Sequence, residues 1–217
     1  MKVLVTGGAG FIGSHVVDAM LERGHDVHVL DDLSLGRREH VPEEVPLHVF
    51  DIRATAVREL FAEEEYDVLI HHAAQMDVRK SVEDPGFDAD VNIGGFLKLM
   101  EAGRKNGLQK VIFASTGGAI YGEPEYTPQD IEHPCRPVSP YGVAKLSTEK
   151  YLHYYLAEYG IESVALRYAN VYGPRQNAEG EAGVVAIFAK KMLTDGQPVI
   201  YGDGEQTRDY VYVGDVV

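Results

Sequence analysis

Tyr141 and Lys145 are separated by one helical turn and could together perform acid–base chemistry. On a helix, residues four positions apart lie on the same face. A free tyrosine has a pKa of about 10. A neighbouring ammonium group and a positively charged ligand would both favour the phenolate form of Tyr141. The spacing therefore indicates that Tyr141 acts as a general base toward a hydroxyl group.

Two hydroxyl side chains, those of Ser115 and Thr116, follow a short apolar run over residues 111–114. The run predicts a buried strand, so both hydroxyl groups are expected at its carboxyl end. There they could hold the same substrate oxygen and keep it aligned with Tyr141. A Tyr-x-x-x-Lys pair is common on protein surfaces, and its weight here comes from the strand that ends in Ser-Thr and from a glycine-rich loop near the start of the chain.

The glycine-rich loop lies between an apolar run at residues 3–5 and a stretch whose apolar residues recur at helical spacing. The spacing of Gly7, Gly10 and Gly13 fits G-x-x-G-x-x-G, and Gly8 in place of Gly7 fits G-x-G-x-x-G. Glycine lets the backbone turn sharply and lets a ligand approach closely. The free N–H groups of the following helix attract an anion. Strand, loop and helix in this order predict a dinucleotide site, and a tight turn without a ligand is the alternative.

Two acidic residues, Asp31 and Asp32, end the predicted second strand at residues 26–30. In a dinucleotide-binding fold, an acidic residue at this place binds the ribose hydroxyl groups of the cofactor. Its charge would repel a 2′-phosphate, so the pair favours NAD over NADP. An aspartate that merely starts a turn remains the alternative for one of the two.

Strands and helices alternate along the chain and must bring these residues together. Further strands are predicted at residues 45–50, 67–70, 111–114 and 163–166, and helices at 54–65, 87–106 and 141–159. Residues 34–46 and 123–139 are predicted to be polar loops. This alternation predicts an α/β fold with a doubly wound parallel sheet, in which ligands bind beyond the carboxyl ends of the strands.

The charge balance restricts the partners of the chain. At 217 residues with a formal net charge of −14, the protein can bury a sizeable core but is poorly suited to nucleic acid or an anionic membrane surface. The start of the sequence has no basic segment followed by a long apolar run, so neither secretion nor membrane insertion is expected.

Cysteine and histidine usage points in the same direction. The single cysteine, Cys135, excludes an internal disulfide and suits a reducing cytoplasm. His71 and His72 are adjacent on a predicted strand and face opposite ways. We interpret both as packing and hydrogen-bonding residues and predict no metal site.

The motifs together resemble the extended short-chain dehydrogenases/reductases, most closely the nucleotide-sugar epimerases of the UDP-glucose 4-epimerase type. The resemblance covers the whole chain. It rests on TGGAGFIG at residues 6–13, LD at 30–31, DI at 51–52, HAAQ at 72–75, STGGAIYG at 115–122, SPYGVAK at 139–145, LRYANVYGPR at 166–175 and RDYVYV at 208–213.

This resemblance implies reversible C4 epimerisation of a UDP-hexose, of the UDP-glucose/UDP-galactose type, through a 4-keto intermediate and with tightly bound NAD. It also implies a Rossmann-type NAD-binding domain over residues 1–167. Residues 168–217 would form part of a small substrate-binding lobe interleaved with the last sheet strands. Relatives would continue beyond residue 217, and the full-length protein is expected to be a cytoplasmic homodimer built on helices 87–105 and 144–158.

The resemblance also assigns catalytic roles. Tyr141 would be the acid/base, and Lys145 would bind the nicotinamide ribose and lower the pKa of the tyrosine. Thr116, with Ser115 beside it, would hold the sugar 4-hydroxyl, and either hydroxyl remains a candidate for that contact. Related 4,6-dehydratases carry Asp-Glu after the threonine, whereas this chain has Gly117 and Gly118, which argues against dehydration.

Further contacts are implied along the chain. Besides Tyr141 and Lys145, the expected cofactor contacts are Gly7, Gly10, Phe11, Ile12, Gly13, Asp31, Asp32, Ser34, Gly36, Asp51, Ile52, Ala73, Ala74, Gln75, Asn92 and Tyr168. The expected substrate contacts are Thr116, Gly117, Asn170, Gly183, Val184, Val185, Tyr201 and Arg208. Tyr201 would pack on the uracil ring and Arg208 would pair with a phosphate, although a surface arginine bridged to Asp209 is the alternative for Arg208.

Two other functions stay open at this point. The first is another NAD-dependent nucleotide-sugar oxidoreductase or decarboxylase of the same family. The second is a non-catalytic NAD-binding regulator, against which the presence of both Tyr141 and Lys145 argues, because a sensor needs neither.

Overall fold

A six-stranded parallel sheet forms the centre of the computed structural model, which describes residues 1–178 and 183–217. Its strands are β1 (Lys2–Thr6), β2 (Asp26–Leu30), β3 (Leu47–His48), β4 (Val68–His71), β5 (Lys110–Thr116) and β6 (Glu162–Tyr168). Their order is β3–β2–β1–β4–β5–β6, and every neighbouring pair is parallel. This order confirms the predicted doubly wound sheet, whose topological switch point lies between β1 and β4.

Helices cover both faces of this sheet. They are α1 (Phe11–Glu22), α2 (Ala56–Glu64), α3 (Val78–Glu83), α4 (Pro85–Ala89), α5 (Phe96–Gly103) and α6 (Pro140–Tyr159). Side chains alternate along β1, so Val3 and Val5 pack with Val16 and Val17 of α1, whereas Leu4 belongs to the cluster that includes Leu99 of α5. Two apolar cores, one on each face, therefore hold the sheet rigid beneath its carboxyl ends.

The helix predicted over residues 87–106 is not one regular helix. A π-helical segment, Asp90–Gly95, separates α4 from α5. Gly94 and Gly95 have weak helical preference, and a Cβ at Gly95 would lie only 2.6 Å from Cδ1 of Ile52. The wider turn and the missing side chain let this segment pack closely on Ile52. π-Helical turns often occur at functional sites.

The third predicted strand, residues 45–50, is shorter in the structure. Only Leu47 and His48 form β3, which lies at the edge of the sheet. Pro46 has no N–H group for a ladder, although its carbonyl oxygen accepts a hydrogen bond from Val29 N at 2.9 Å. The edge strand consequently begins only after this proline.

The remaining elements follow β6. They are β7 (Asn170–Tyr172), α7 (Val184–Leu193), β8 (Tyr210–Tyr212) and α8 (Val213–Val216), and β7 pairs with β8 in a separate two-stranded sheet. Since β6 extends to Tyr168, the predicted division between residues 167 and 168 falls inside a strand, and the division itself stays a prediction. In the described part of the chain, no helix combines the length and apolar character needed to cross a membrane.

Candidate active site

The glycine-rich loop occupies the topological switch point. Gly7 N donates to the carbonyl oxygen of Leu30 at 2.9 Å. This hydrogen bond holds the start of the loop after β1 against the end of β2. A Cβ at Gly13 would lie 2.1 Å from the carbonyl oxygen of Gly7, so the first turn of α1 contacts the loop directly. Gly10 precedes α1 and has no side chain to cap it, and the first turn of α1 carries no acidic residue. Its N–H groups are thus available to an anion.

Asp31 fixes the shape of this loop. Its Oδ2 accepts from Ala9 N at 3.0 Å and its Oδ1 from Leu33 N at 2.9 Å. Burial raises the pKa of Asp31, and these two backbone hydrogen bonds oppose that effect. Gly36 lies against the Asp31 carboxylate. The carboxylate of Asp31, which is predicted to bind the ribose, is therefore held rigidly at the carboxyl end of β2.

Two of the neighbouring predicted contacts, Asp32 and Asp51, are less buried than Asp31. Asp32 is exposed and accepts from both the backbone N–H and the hydroxyl of Ser34. Asp51 is bound by Arg53, whose hydrogen bonds lower the pKa of the Asp51 carboxyl. Ile52 is buried beside the π-helical segment.

The end of β4 forms the other wall of the crevice at the switch point. A Cβ at Gly7 would lie 2.6 Å from Ala73 N, which shows how closely the two loops approach. His71 is buried with its Nδ1 2.6 Å from the Thr6 hydroxyl, and burial lowers its pKa far below the usual value. His72 has its Nε2 3.3 Å from the Tyr168 hydroxyl, while its buried Nδ1 has no hydrogen-bond partner among the described residues.

Asn92, on the π-helical segment, organises the loop after β4. Its Oδ1 accepts from Gln75 N at 3.0 Å, and its Nδ2 donates to the carbonyl oxygen of Gln75 and to Asp88 Oδ1. Gln75 Nε2 also donates to Asp88 Oδ1 at 2.9 Å. The polar side-chain atoms of Asn92 are thus used within the chain. Asn92 holds Gln75 in place, and its contact with the cofactor stays a prediction.

The structure separates Ser115 from Thr116. Successive residues of a strand face opposite sides, so the two hydroxyls cannot hold one oxygen together, contrary to the expectation from their adjacency. Ser115 is 4 % exposed and donates to Glu149 Oε1 of α6 at 2.6 Å. Thr116 is the half-buried last residue at the carboxyl end of β5. It is therefore the candidate for contact with a substrate hydroxyl.

Tyr141 and Lys145 lie in the first two turns of α6, as predicted. Ser139 caps this helix by accepting from Gly142 N at 3.1 Å. Lys145 is buried, and its Nζ donates to the carbonyl oxygen of Ala114 at 2.8 Å and lies 5.7 Å from the centroid of the Tyr141 ring. The helix thus holds the ammonium group between the end of β5 and the tyrosine.

Burial opposes the ionisation of Tyr141 that the sequence predicts. Burial, with a smaller contribution from the charge of Asp88, raises the Tyr141 pKa to about 12. Burial also lowers the pKa of Lys145 to about 8, against the opposing charge of Asp88. Desolvation is therefore the dominant influence on the Tyr141 pKa among the described residues.

The predicted substrate contacts form a separate, more exposed group. Asn170 Nδ2 donates to the carbonyl oxygen of Asp209 at 3.1 Å where β7 meets β8. Gly183, Val184 and Val185 form the start of α7, and Gly117 N donates to the carbonyl oxygen of Tyr168 at 2.7 Å. Tyr201 is 85 % exposed. Arg208 is also exposed and donates to the carbonyl oxygen of Thr207. The contacts of Tyr201 and Arg208 with a substrate stay predictions.

Three residues of the site were not predicted from the sequence. Asp88 is 1 % exposed, and its Oδ2 has no hydrogen-bond partner within residues 1–178 and 183–217. Glu149 binds both Ser115 and Arg167. A Cβ at Gly142 would lie 2.4 Å from the carbonyl oxygen of Ala119. Of these three residues, only Glu149 could have been found from the sequence, because it lies one helical turn beyond Lys145 and therefore on the same face of the helix.

These residues fit a dinucleotide. The loop leaves no room for a Cβ at Gly7 or Gly13, the start of α1 has uncapped N–H groups, and the buried Nδ1 of His72 is unpaired in the described part of the chain. The sheet order, the glycine-rich loop and the Tyr141–Lys145 pair define a Rossmann-fold protein of the dehydrogenase/reductase type.

Comparison with known proteins gives the family. The family model described as NAD dependent epimerase/dehydratase family matches residues 3–217, and the chain belongs to this family. It is 50 % identical over 214 residues to a putative UDP-glucose 4-epimerase of Methanocaldococcus jannaschii, covering 99 % of this chain and 70 % of that protein.

Two solved structures are similar in fold and sequence. UDP-glucose 4-epimerase of Thermotoga maritima with UDP-glucose has a TM-score of 0.97 and 49 % identity, with 100 % of this chain and 71 % of that one covered. UDP-glucose 4-epimerase of Thermus thermophilus in complex with NAD has a TM-score of 0.94 and 52 % identity, with 100 % of this chain and 72 % of that one covered.

Proposed function

We propose that the chain catalyses the reversible epimerisation of a UDP-hexose at C4, through a 4-keto sugar and with NAD as a retained cofactor. The observation that carries this proposal is the Tyr141–Lys145 pair beside the end of β5, in a chain of the NAD dependent epimerase/dehydratase family. The similar proteins named UDP-glucose 4-epimerase support a UDP-glucose/UDP-galactose type of substrate.

Each residue of the site has a distinct role in this proposal. Thr116 orients the sugar 4-hydroxyl, and Tyr141 removes its proton and later returns it. Lys145, fixed on the carbonyl oxygen of Ala114, keeps a positive charge next to the reacting oxygen. When bound, NAD would supply the reversible hydride chemistry at C4 and a positive charge that favours ionisation of Tyr141. The reaction therefore consumes no net reductant.

Gly117 and Gly118 favour epimerisation over dehydration. They occupy the places where related 4,6-dehydratases carry an aspartate and a glutamate. Dehydration needs a proton donor and acceptor at neighbouring sugar carbons, and glycine supplies neither. The hydroxyl of Thr116 is retained immediately before them.

The proposal is tested by supplying UDP-galactose to the purified protein without added nicotinamide cofactor and following UDP-glucose by NMR. We expect conversion to an equilibrium mixture at constant NAD content. A protein that carries NAD but converts no pair of UDP-sugars would contradict the proposal. Net consumption of NAD(H) would instead identify an oxidoreductase or decarboxylase. Bound NAD without any sugar chemistry would identify a regulator.

The substrate lobe and the oligomeric state are further parts of the proposal. Asn170, the start of α7, Tyr201 and Arg208 would contact the UDP moiety. The exposed aromatic side chains of Tyr151 and Tyr154 on α6 support a homodimer. Sedimentation should then give twice the monomer mass. We also place the enzyme in the cytoplasm, with no nucleic acid or membrane partner, in keeping with its acidity.

A further inference from the structure

We propose that Glu149 is a positioning residue for the epimerisation, which holds the end of β5 so that Thr116 faces the substrate beside Tyr141. This inference rests on the proposed function. It concerns a carboxylate that need not touch substrate or cofactor. Its effect would pass through Ser115 and Arg167, both of which it binds.

The contacts of Glu149 use both of its oxygens. Oε1 accepts from the Ser115 hydroxyl at 2.6 Å and from Arg167 Nε at 3.0 Å, while Oε2 accepts from Arg167 Nη2 at 2.7 Å. The side chain of Glu149 is 12 % exposed and that of Arg167 is 23 % exposed. Burial alone would raise the pKa of Glu149, but the hydrogen bonds from Arg167 and Ser115 outweigh it, so the pKa is lowered. The carboxylate is ionised at neutral pH.

Glu149 and Lys145 bind consecutive residues of β5. Lys145 Nζ donates to the carbonyl oxygen of Ala114, and Glu149 accepts from the hydroxyl of Ser115. Because Lys145 and Glu149 are one helical turn apart, α6 fixes the strand end at two adjacent points. Ser115 is thereby kept against α6, and the end of β5 that carries Thr116 is fixed beside the helix that carries Tyr141.

Arg167 extends the contact to β6 and to the loop after β5. Its Nη1 donates to the Tyr121 hydroxyl at 3.1 Å, and its guanidinium carbon lies 5.1 Å from the centroid of the Tyr121 ring. The same loop contacts the start of α6, where Gly142 meets Ala119. The position of Thr116 relative to Tyr141 is thus defined by one connected set of contacts.

A matched cluster elsewhere in the chain separates positioning from stability. Glu101 of α5 accepts two hydrogen bonds from Arg104 and one from the Tyr155 hydroxyl. Both glutamates therefore bind one arginine through two nitrogens and one hydroxyl group. Of these two glutamates, Glu149 is the one connected to the end of β5. The side chain of Glu101 is 44 % exposed, so its loss should cost less stability; if the Glu149 cluster contributes only stability, neither substitution should lower kcat.

The experiment compares Glu149→Gln with Glu101→Gln in the NAD-loaded protein. We expect Glu149→Gln to lower kcat for UDP-galactose by about 10- to 100-fold, since small misplacements of reacting groups have effects of this size. KM and bound NAD should change less than about threefold, because binding groups are untouched. Glu101→Gln should leave kcat within about twofold, even where both variants lose similar thermal stability.

Ser115→Ala provides a second test if Glu149→Gln does not fold. This variant keeps the Glu149–Arg167 ion pair and removes only its bond to β5, so kcat should fall several-fold with KM preserved. Wild-type kcat in a folded Glu149→Gln variant, or in Ser115→Ala when the former cannot be purified, would overturn the inference. Absence of epimerisation by the wild-type protein would instead contradict the proposed function.

Discussion

The two ends of the central sheet both bury polar side chains, but they pair them differently. Around the amino ends of β1 and β4, the Tyr66 hydroxyl lies 2.9 Å from Nδ1 of His28 in the middle of β2, and this nitrogen is 3.2 Å from Nε2 of His48 in the edge strand β3. Lys2 and Glu64 form an ion pair beside them. These groups serve as hydrogen-bond partners for one another, which is the usual arrangement of a stabilising polar cluster.

At the carboxyl ends, some buried polar atoms lack a hydrogen-bond partner among the described residues. Nδ1 of His72 and Oδ2 of Asp88 have no hydrogen-bond partner among the residues that the structure describes, and the buried Lys145 donates to a backbone carbonyl, that of Ala114. An unsatisfied buried group costs about 1–3 kcal/mol. Such groups persist mostly at functional sites. The difference indicates that one end contributes stability and the other is arranged for a ligand.

Removing one hydroxyl at each end gives the largest expected contrast. Tyr141→Phe should lower kcat by about 10²- to 10⁴-fold, because it removes the general base, while NAD stays bound. Tyr66→Phe should keep kcat within about twofold and cost about 1 kcal/mol of unfolding free energy. Steady-state kinetics and thermal melts measure both. An unchanged kcat in Tyr141→Phe would remove this residue from the proposed role.

Adding one methyl group at each end is the next comparison. Gly13→Ala places a Cβ 2.1 Å from the carbonyl oxygen of Gly7, so we expect loss of retained NAD and about 1–3 kcal/mol of stability. At Gly24, near the amino end of β2, no described atom lies within 4 Å of a Cβ. Gly24→Ala should meet only backbone strain, of about 1 kcal/mol, and keep its NAD. Equal NAD content in the two purified variants would contradict the steric role of Gly13.

A buried charge at the carboxyl end should affect the pH profile. Asp88 raises the pKa of both Tyr141 and Lys145. Asp88→Asn removes that charge, so both values should fall and the pH–rate profile of kcat should move to lower pH. Asp26→Asn, an exposed change near His28, is the control and should leave the profile in place. A profile that does not move in Asp88→Asn would show that Asp88 acts only through its hydrogen bonds.

The smallest expected effect is on stability in acid. Burial lowers the pKa of His28 and His48, so the folded state binds fewer protons than the unfolded state as the pH falls below about 6.5. Stability is then fully present above the unfolded pKa of about 6.5 and declines as the pH falls through that value toward the folded pKa. His71 and His72 shift in the same direction. His28→Gln should reduce the dependence of unfolding free energy on pH, and an unchanged dependence would show that His28 does not contribute to it.

The amino-acid sequence determined the local elements and the chemistry they carry. The glycine-rich loop, Asp31 and the Tyr141–Lys145 spacing were recognised because each depends on residues close together in the chain. Periodicity likewise predicted the six parallel strands and α6. It failed at the π-helical segment, where Gly95 packs on Ile52 from a distant part of the sequence. No local pattern contains that contact.

The tertiary structure alone decided how these groups act. From the sequence, Ser115 and Thr116 were both candidates for contact with the sugar 4-hydroxyl. Only the packing of α6 showed that the Ser115 hydroxyl is bound to Glu149. It also showed that burial raises the Tyr141 pKa, an effect that depends on every neighbouring element and not on helical spacing. Asp88 had no recognisable spacing to the pair it influences. Charges and hydrogen bonds act through space, so their balance at the Tyr141–Lys145 pair is set only after the chain has folded.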